Sequence, residues 1–175
     1  MPLSYQIFDV FSATVLAGNP LAVVFGADRL DTAAMQAIAA EFNLSETIFL
    51  MDPDAPANTH KARIFTPGFE MPFAGHPTVG GAVAAARQRS GARHLTLELP
   101  AGVTRCEVGP DGTKATIEAP KTPKLLPGVP PDETLAAALG RDASRLGFGK
   151  YRPTRADSGP QWTIIPVADP SDLAD

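Results

Sequence analysis

Between Pro77 and Arg87 the chain reads Thr-Val-Gly-Gly-Ala-Val-Ala-Ala-Ala, with no charged residue. Pro77 suits a first helical position, where its missing N–H would have no partner anyway, so a helix is predicted over Thr78 to Ala86. A surface helix needs a polar stripe, and this one has none before Arg87. Such a helix is buried on all sides. Its small residues let strands approach its backbone closely. The rest of the chain must therefore supply apolar surface all the way round, which a sheet curled about the helix would do. Val79, Ala82, Val83 and Ala86 are all expected to be buried.

Strand candidates flank this helix. Tyr5 to Val10 alternates with period two, placing Tyr5, Ile7 and Asp9 on one face and Gln6, Phe8 and Val10 on the other. The turn Gly18-Asn19-Pro20 precedes an apolar run, Leu21 to Phe25. Thr47 to Leu50 and Lys61 to Phe65 follow. Beyond the helix come His94 to Leu99, Val103 to Val108 and Thr113 to Glu118, the last two joined by the hairpin turn Gly109-Pro110-Asp111-Gly112. A second helix is amphipathic: Asp31 caps it, Met35, Ile38, Ala39 and Phe42 share one face, and Asn43 stops it. Residues 1–118 thus form one lobe, and the Pro-rich stretch 119–131 reads as a linker. Residues 132–175 hold a helix, Glu133 to Leu139, and two strand-like runs, Tyr151 to Arg155 and Thr163 to Val167. Below roughly 40 to 60 residues burial is marginal, so this tail is expected to be the start of a truncated second lobe.

Composition narrows the function. Hydrophobic residues make up 44% and charged residues 19% of the 175 positions, as in an ordinary globular domain. Net charge is −4 with no basic run among aromatics, which argues against nucleic acid. Cys106 is the single cysteine, which excludes a disulfide framework, a thiolate zinc cluster and any mechanism needing two cysteines of the chain. No secretory signal and no apolar run of membrane-spanning length is visible, so a cytoplasmic protein is expected. No nucleotide fingerprint or metal-ligand spacing appears, and no cofactor is expected.

Two residues stand out for chemistry. Glu46 falls between a helix end and an apolar strand, flanked by Leu44 and Ile48. Partial burial at such a place brings a carboxyl group toward the range useful for proton transfer; a solvated loop glutamate is the other reading. His76 lies in Gly75-His76-Pro77-Thr78, at or near the cap of the buried helix. The N–H groups of Gly75, His76, Thr78 and Val79 could hold a carboxylate there, with the imidazole as a further donor. A core histidine tied to a carbonyl is the alternative. Glu70 either orients this turn or is exposed, and Asp9 sits in a strand. His60 and His94 read as surface residues, Cys106 and Trp162 as packing.

Phe8-Asp9-Val10-Phe11, Ala17-Gly18-Asn19-Pro20, Asn43-Leu44-Ser45-Glu46-Thr47, Arg63-Ile64-Phe65-Thr66-Pro67 and Gly75-His76-Pro77-Thr78 occur here in order. Together they resemble the PhzF-like isomerase/epimerase family of phenazine biosynthesis, through the first 118 residues and weakly on to Pro166. The resemblance implies an α+β, diaminopimelate epimerase-like fold: lobes made of a curled, mostly antiparallel sheet around a buried central helix, the second lobe here being incomplete. It implies a cofactor-independent isomerase of a small acid such as trans-2,3-dihydro-3-hydroxyanthranilate. Glu46 takes the place of the family's proton-shuttling glutamate, and Gly75 and His76, with Thr78, that of its substrate-holding turn. Ala74 stands where cysteine-pair epimerases of this fold carry a cysteine, so cysteine-based racemisation is not supported. The family's second-lobe acidic residue and Thr-Gly-Ser motif have no match.

Two functions therefore compete: an isomerase complete only with a second lobe, and a catalytically silent small-molecule-binding remnant. On either view Glu46 and His76 should face one cleft. Strand edges left by an incomplete lobe favour self-association, a homodimer in its simplest form.

Overall fold

The computed structural model describes residues 3–173, which fall into two compact units divided between Lys121 and Thr122. In the first unit the alternating segments become β1 (Ser4–Val10), β2 (Asn19–Phe25), β3 (Glu46–Met51), β4 (His60–Phe65), the two-residue β5 (Glu70–Met71), β6 (His94–Leu99), β7 (Gly102–Val108) and β8 (Ala115–Ile117). The two helices are α1 (Thr32–Phe42) and α2 (Gly75–Gln88). The strands form one sheet in the order β1-β2-β3-β4-β6-β7-β8, with β5 paired to β4. Only β2–β3 and β4–β6 run parallel; the other neighbours are antiparallel.

Helix α2 packs against β1, β2, β3, β6, β7 and β8. Strands from both ends of the sheet reach it, so the sheet curls around it as the uncharged sequence requires. Ala82, Ala84 and Ala85 are wholly buried, and Val83 and Ala86 nearly so. The glycines set how close the strands come. A Cβ on Gly80 would lie 2.4 Å from Leu21 Cδ2, and one on Gly81 2.8 Å from Ile48 Cδ1. Val79 departs from expectation and is only half-buried. It shares a helix face, at i, i+4, with Gly75, which is exposed. The helix also starts earlier than Pro77: Ala74 is its cap, in extended geometry, so Pro77 sits inside the first turn.

Helix α1 covers the other face of the sheet. Asp31 accepts a hydrogen bond from the Ala34 N–H at 2.8 Å, and Asn43 ends the helix with φ 50°. Met35 and Ala39 are buried with Val24, Phe49, Met51 and Phe65. Phe49 and Phe65 meet edge to face, centroids 5.5 Å apart.

The second unit holds β9 (Lys124–Leu126), α3 (Asp132–Leu139), β10 (Thr154–Asp157) and β11 (Gln161–Ile164). Its three strands form an antiparallel sheet, β11-β10-β9. Strand β9 lies inside the Pro-rich stretch expected to be a linker. The last two strands are shorter than expected and closer together. Pro153 and Pro166 lack the N–H that a ladder needs, and Ser158 to Pro160 forms the turn between them, its Ser158 N–H donating to the Pro160 carbonyl at 3.1 Å. Leu135, Ala136 and Leu146 make a small core.

Candidate active site

Alternation along β3 turns Glu46, Ile48 and Leu50 toward α2, since Ile48 and Leu50 belong to the core that α2 fills. Helix α2 begins beside the same end of β3, and its first turn carries His76. The outcome is a direct contact: His76 Nδ1 lies 2.9 Å from Glu46 Oε2. The two residues are 30 positions apart in sequence. The side chains are 8% and 18% exposed. The other ring nitrogen, Nε2, lies 3.1 Å from the carbonyl oxygen of Asn19 at the start of β2. Parallel pairing of β2 with β3 sets Leu21 opposite Glu46, which brings Asn19 to this end of the sheet. The Ser45 hydroxyl donates to Asn19 Oδ1 at 2.8 Å and ties the two strand starts together.

Both ring nitrogens of His76 face oxygen atoms, so the tautomer decides which nitrogen donates. A carbonyl oxygen and an ionised carboxylate only accept. The Asn19 contact therefore needs a proton on Nε2. With Nε2 protonated, a hydrogen bond to Glu46 takes one further proton between Nδ1 and Oε2. Placed on the ring it gives an imidazolium–carboxylate pair, and placed on the carboxyl it gives a neutral pair. The two forms contain the same atoms and interconvert by moving one proton along one short hydrogen bond. Such a pair can accept or release a proton at its open side without rearranging the chain.

Other site expectations need correction. Thr78, expected to present an exposed amide, is fully buried. Its hydroxyl donates to the Ala74 carbonyl at 2.6 Å and its N–H to the same oxygen at 3.3 Å. An early helix start makes Thr78 the first residue with an intrahelical acceptor, leaving Gly75 and His76 in the unpaired first turn. The His76 imidazole, expected to hold substrate, has both nitrogens engaged within the chain. Glu70 does not orient the turn; it forms a two-point pair with Arg63, at 2.7 Å to Nε and 2.6 Å to Nη2. His60, expected at the surface, is half-buried with Nδ1 3.1 Å from the Met51 carbonyl. Trp162, expected to pack, is 50% exposed on β11. His94 is exposed as expected. Cys106 is buried, and that burial pushes its thiol up to about 12, which suits packing and not nucleophilic work.

Sequence reasoning missed Asn19 and Phe11 as neighbours of the pair. Asn19 contributes a backbone carbonyl, which no residue type announces. Phe11 stands with its ring centroid 6.0 Å from that of His76. A groove outside β6–β8, lined by His94, Thr96, Arg105, Cys106 and Glu107 among others, includes none of Glu46, His76, Asn19 and Phe11. Among the described residues no group of three or more His, Cys, Asp or Glu could hold a metal ion, and no helix is long and apolar enough to cross a membrane.

The sheet curled around a buried helix is a fold shared with solved epimerase-like and PhzF-family proteins. Residues 8–175 match the profile described as phenazine biosynthesis-like protein, and the chain belongs to that family. It is 46% identical over 170 residues to an uncharacterised isomerase of Mesorhizobium japonicum, covering 95% of this chain and 56% of that protein. It is 39% identical over 143 residues to a trans-2,3-dihydro-3-hydroxyanthranilate isomerase of Pseudomonas fluorescens, covering 82% of this chain and 48% of that one. Among solved structures, a predicted epimerase from Pseudomonas aeruginosa superimposes with a TM-score of 0.84 at 33% identity, covering 97% of this chain and 61% of that one. The chain thus spans 48% to 61% of the length of these relatives.

Proposed function

We propose that this chain carries the acid–base half of a cofactor-independent isomerase acting on a small carboxylic acid of the trans-2,3-dihydro-3-hydroxyanthranilate kind. The contact between Glu46 and His76, with Nε2 held by Asn19, is the observation that carries this reading. Glu46 takes a proton from a substrate carbon, and the electron pair of that C–H bond enters the substrate's conjugated system. The proton returns to a different carbon. Nothing is oxidised or reduced, and the pair ends as it began. His76 is a positioning residue that shares the proton and orients the carboxyl group. The first-turn N–H groups of Gly75 and His76 hold the substrate carboxylate, helped by the positive end of α2. Gly75 is exposed and a Cβ there would meet nothing within 4 Å, so the approach to these amides is open.

A general base works on a substrate held within reach in a water-poor site. Glu46 and the α2 turn supply one wall. In relatives of nearly twice this length the remaining sequence is proposed to supply the other, with 119–131 as the joint between lobes. This openness also favours the second reading, a binding remnant without turnover. The two part in one assay: deuterium uptake by trans-2,3-dihydro-3-hydroxyanthranilate in D2O, with this chain alone and with the chain completed by the remaining sequence of the Mesorhizobium relative. The completed protein should exchange and isomerise, Glu46→Gln should stop both, and the chain alone should show little activity. A completed protein that binds the acid but never exchanges it leaves the remnant. Equal turnover by both forms would show that no second wall is needed.

A further inference from the structure

The connection between β1 and β2 holds its apolar residues outward. Phe11 is 73% exposed, Val15 83% and Leu16 92%. Its backbone is nonetheless ordered. The Ser12 hydroxyl accepts from the Thr14 N–H at 3.0 Å, and the Ala17 N–H donates to the Thr14 carbonyl at 3.3 Å. Gly18 lets the ends close tightly, since a Cβ there would lie 2.6 Å from the Val10 carbonyl oxygen. Phe11 and Leu16 have φ of 66° and 62°. Large side chains rarely adopt this left-handed geometry, which is strained and gathers at functional sites. The other positive-φ residues besides glycine, among those described, are Asn43 and Ser90. Asn43 is a helix stop of a residue type that tolerates the geometry. For Phe11 no burial offsets the strain, because the ring is in solvent.

That ring does have a neighbour. It stands 6.0 Å from the His76 imidazole, the planes inclined at 51°. A ligand reaching Glu46 would therefore meet an aromatic surface beside the proton-sharing pair and the first-turn amides of α2. Amides recognise a carboxylate, but they do so equally for a linear amino acid and for a ring. An exposed aromatic face distinguishes them, because the sp2 carbons of a conjugated ring pack on it and a saturated or linear chain does so poorly. We infer that Phe11 is a specificity-determining residue that packs on the flat diene carbons of the substrate's unsaturated ring. The site then selects cyclic conjugated acids over linear amino acids. This inference rests on the isomerase reading for the site but is separable from it, since it concerns binding and not proton transfer.

The test uses the 175-residue chain and two probes of equal charge, benzoate with a flat ring and cyclohexanecarboxylate with a puckered one. Ligand-observed NMR titrations give the affinities, and the chemical shift of the His76 ring locates binding. The chain should prefer benzoate about tenfold, the size of one aromatic stacking contact. Phe11→Ala should erase that preference by weakening benzoate alone, Phe11→Tyr should keep it, and circular dichroism should show an unchanged fold for both. Glu46→Gln should also keep the preference, so a failure of proton exchange leaves this result readable. Equal affinity for the two probes, no binding of either, or a preference that survives Phe11→Ala would overturn the inference. The last outcome, with stability lowered in the completed protein, would mark Phe11 as a contact for other protein surface.

Discussion

The two sheets of this molecule are built from similar strands and differ in what covers them. The large sheet has a helix on each face, and Leu21, Val23, Phe49, Ile64 and Leu97 are wholly buried. In the small sheet the row Leu125–Ala156–Trp162 and its neighbour Ile164 share one face by register. There Leu125 is 76%, Ile164 53% and Trp162 50% exposed. Strand propensity and pairing are present in both. What the first unit adds is a layer, and that layer turns alternating sequence into a core. The Glu46–His76 contact depends on this difference, because it forms where a strand end meets the start of the enclosed helix.

The largest expected contrast is between a lysine at the enclosed helix and one on the open face. Ala82→Lys places an unpaired charge in the core and should destabilise the first unit by on the order of 3–5 kcal/mol. Ile164→Lys should change stability by about 0.5 kcal/mol or less, and should reduce self-association if the open apolar face causes it. Urea unfolding and sedimentation velocity measure the two. An Ala82→Lys protein as stable as the parent would mean that α2 is not enclosed. A smaller effect tests the outer layer. Asp31→Ala removes the cap of α1 and should cost about 1 kcal/mol, read as a lower urea midpoint at unchanged slope.

The smallest effect is local and pH-dependent. Glu98 accepts from the Asn58 side chain at 2.7 Å and from the Ala55 and Asp54 N–H groups at 2.9 and 2.7 Å. These bonds, the Asn58 one first, hold its carboxyl below its ordinary value of 4.5. A depressed folded value stabilises the loop at pH above the unfolded value, and the benefit is lost as pH falls through the folded value. Amide exchange at Asp54 and Ala55, corrected for intrinsic rates, should therefore rise on acidification below about 4.5 and lose that dependence in Glu98→Gln.

Much of the first unit was legible because its signals are local. The i, i+3, i+4 spacing of Met35, Ile38, Ala39 and Phe42 marks α1, and the missing polar stripe of α2 marks enclosure. Glu46 and His76 were legible as separate candidates and, through the resemblance, as parts of one site. Their direct bond was not, because it depends on the register of β2, β3 and α2 across 30 positions. The Asn19 carbonyl was hidden for the same reason: a backbone atom has no residue signature. Thr78 was misread by placing the helix start at Pro77, since proline fits the first turn at more than one position. In the second unit the strand limits were set by Pro153 and Pro166, whose missing donors outweighed the β-branched runs beside them.

The proposed sharing of a proton by Glu46 and His76 is most directly tested by NMR of the chain with ¹⁵N-labelled histidine. The geometry predicts a protonated Nε2 on His76 and a far-downfield proton between Nδ1 and the Glu46 carboxyl. Glu46→Gln should abolish that downfield signal while the Nε2 proton, held by Asn19, remains. A His76 with a bare Nδ1 lone pair, unchanged by Glu46→Gln, would contradict a proton held in common and with it the acid–base role of the pair.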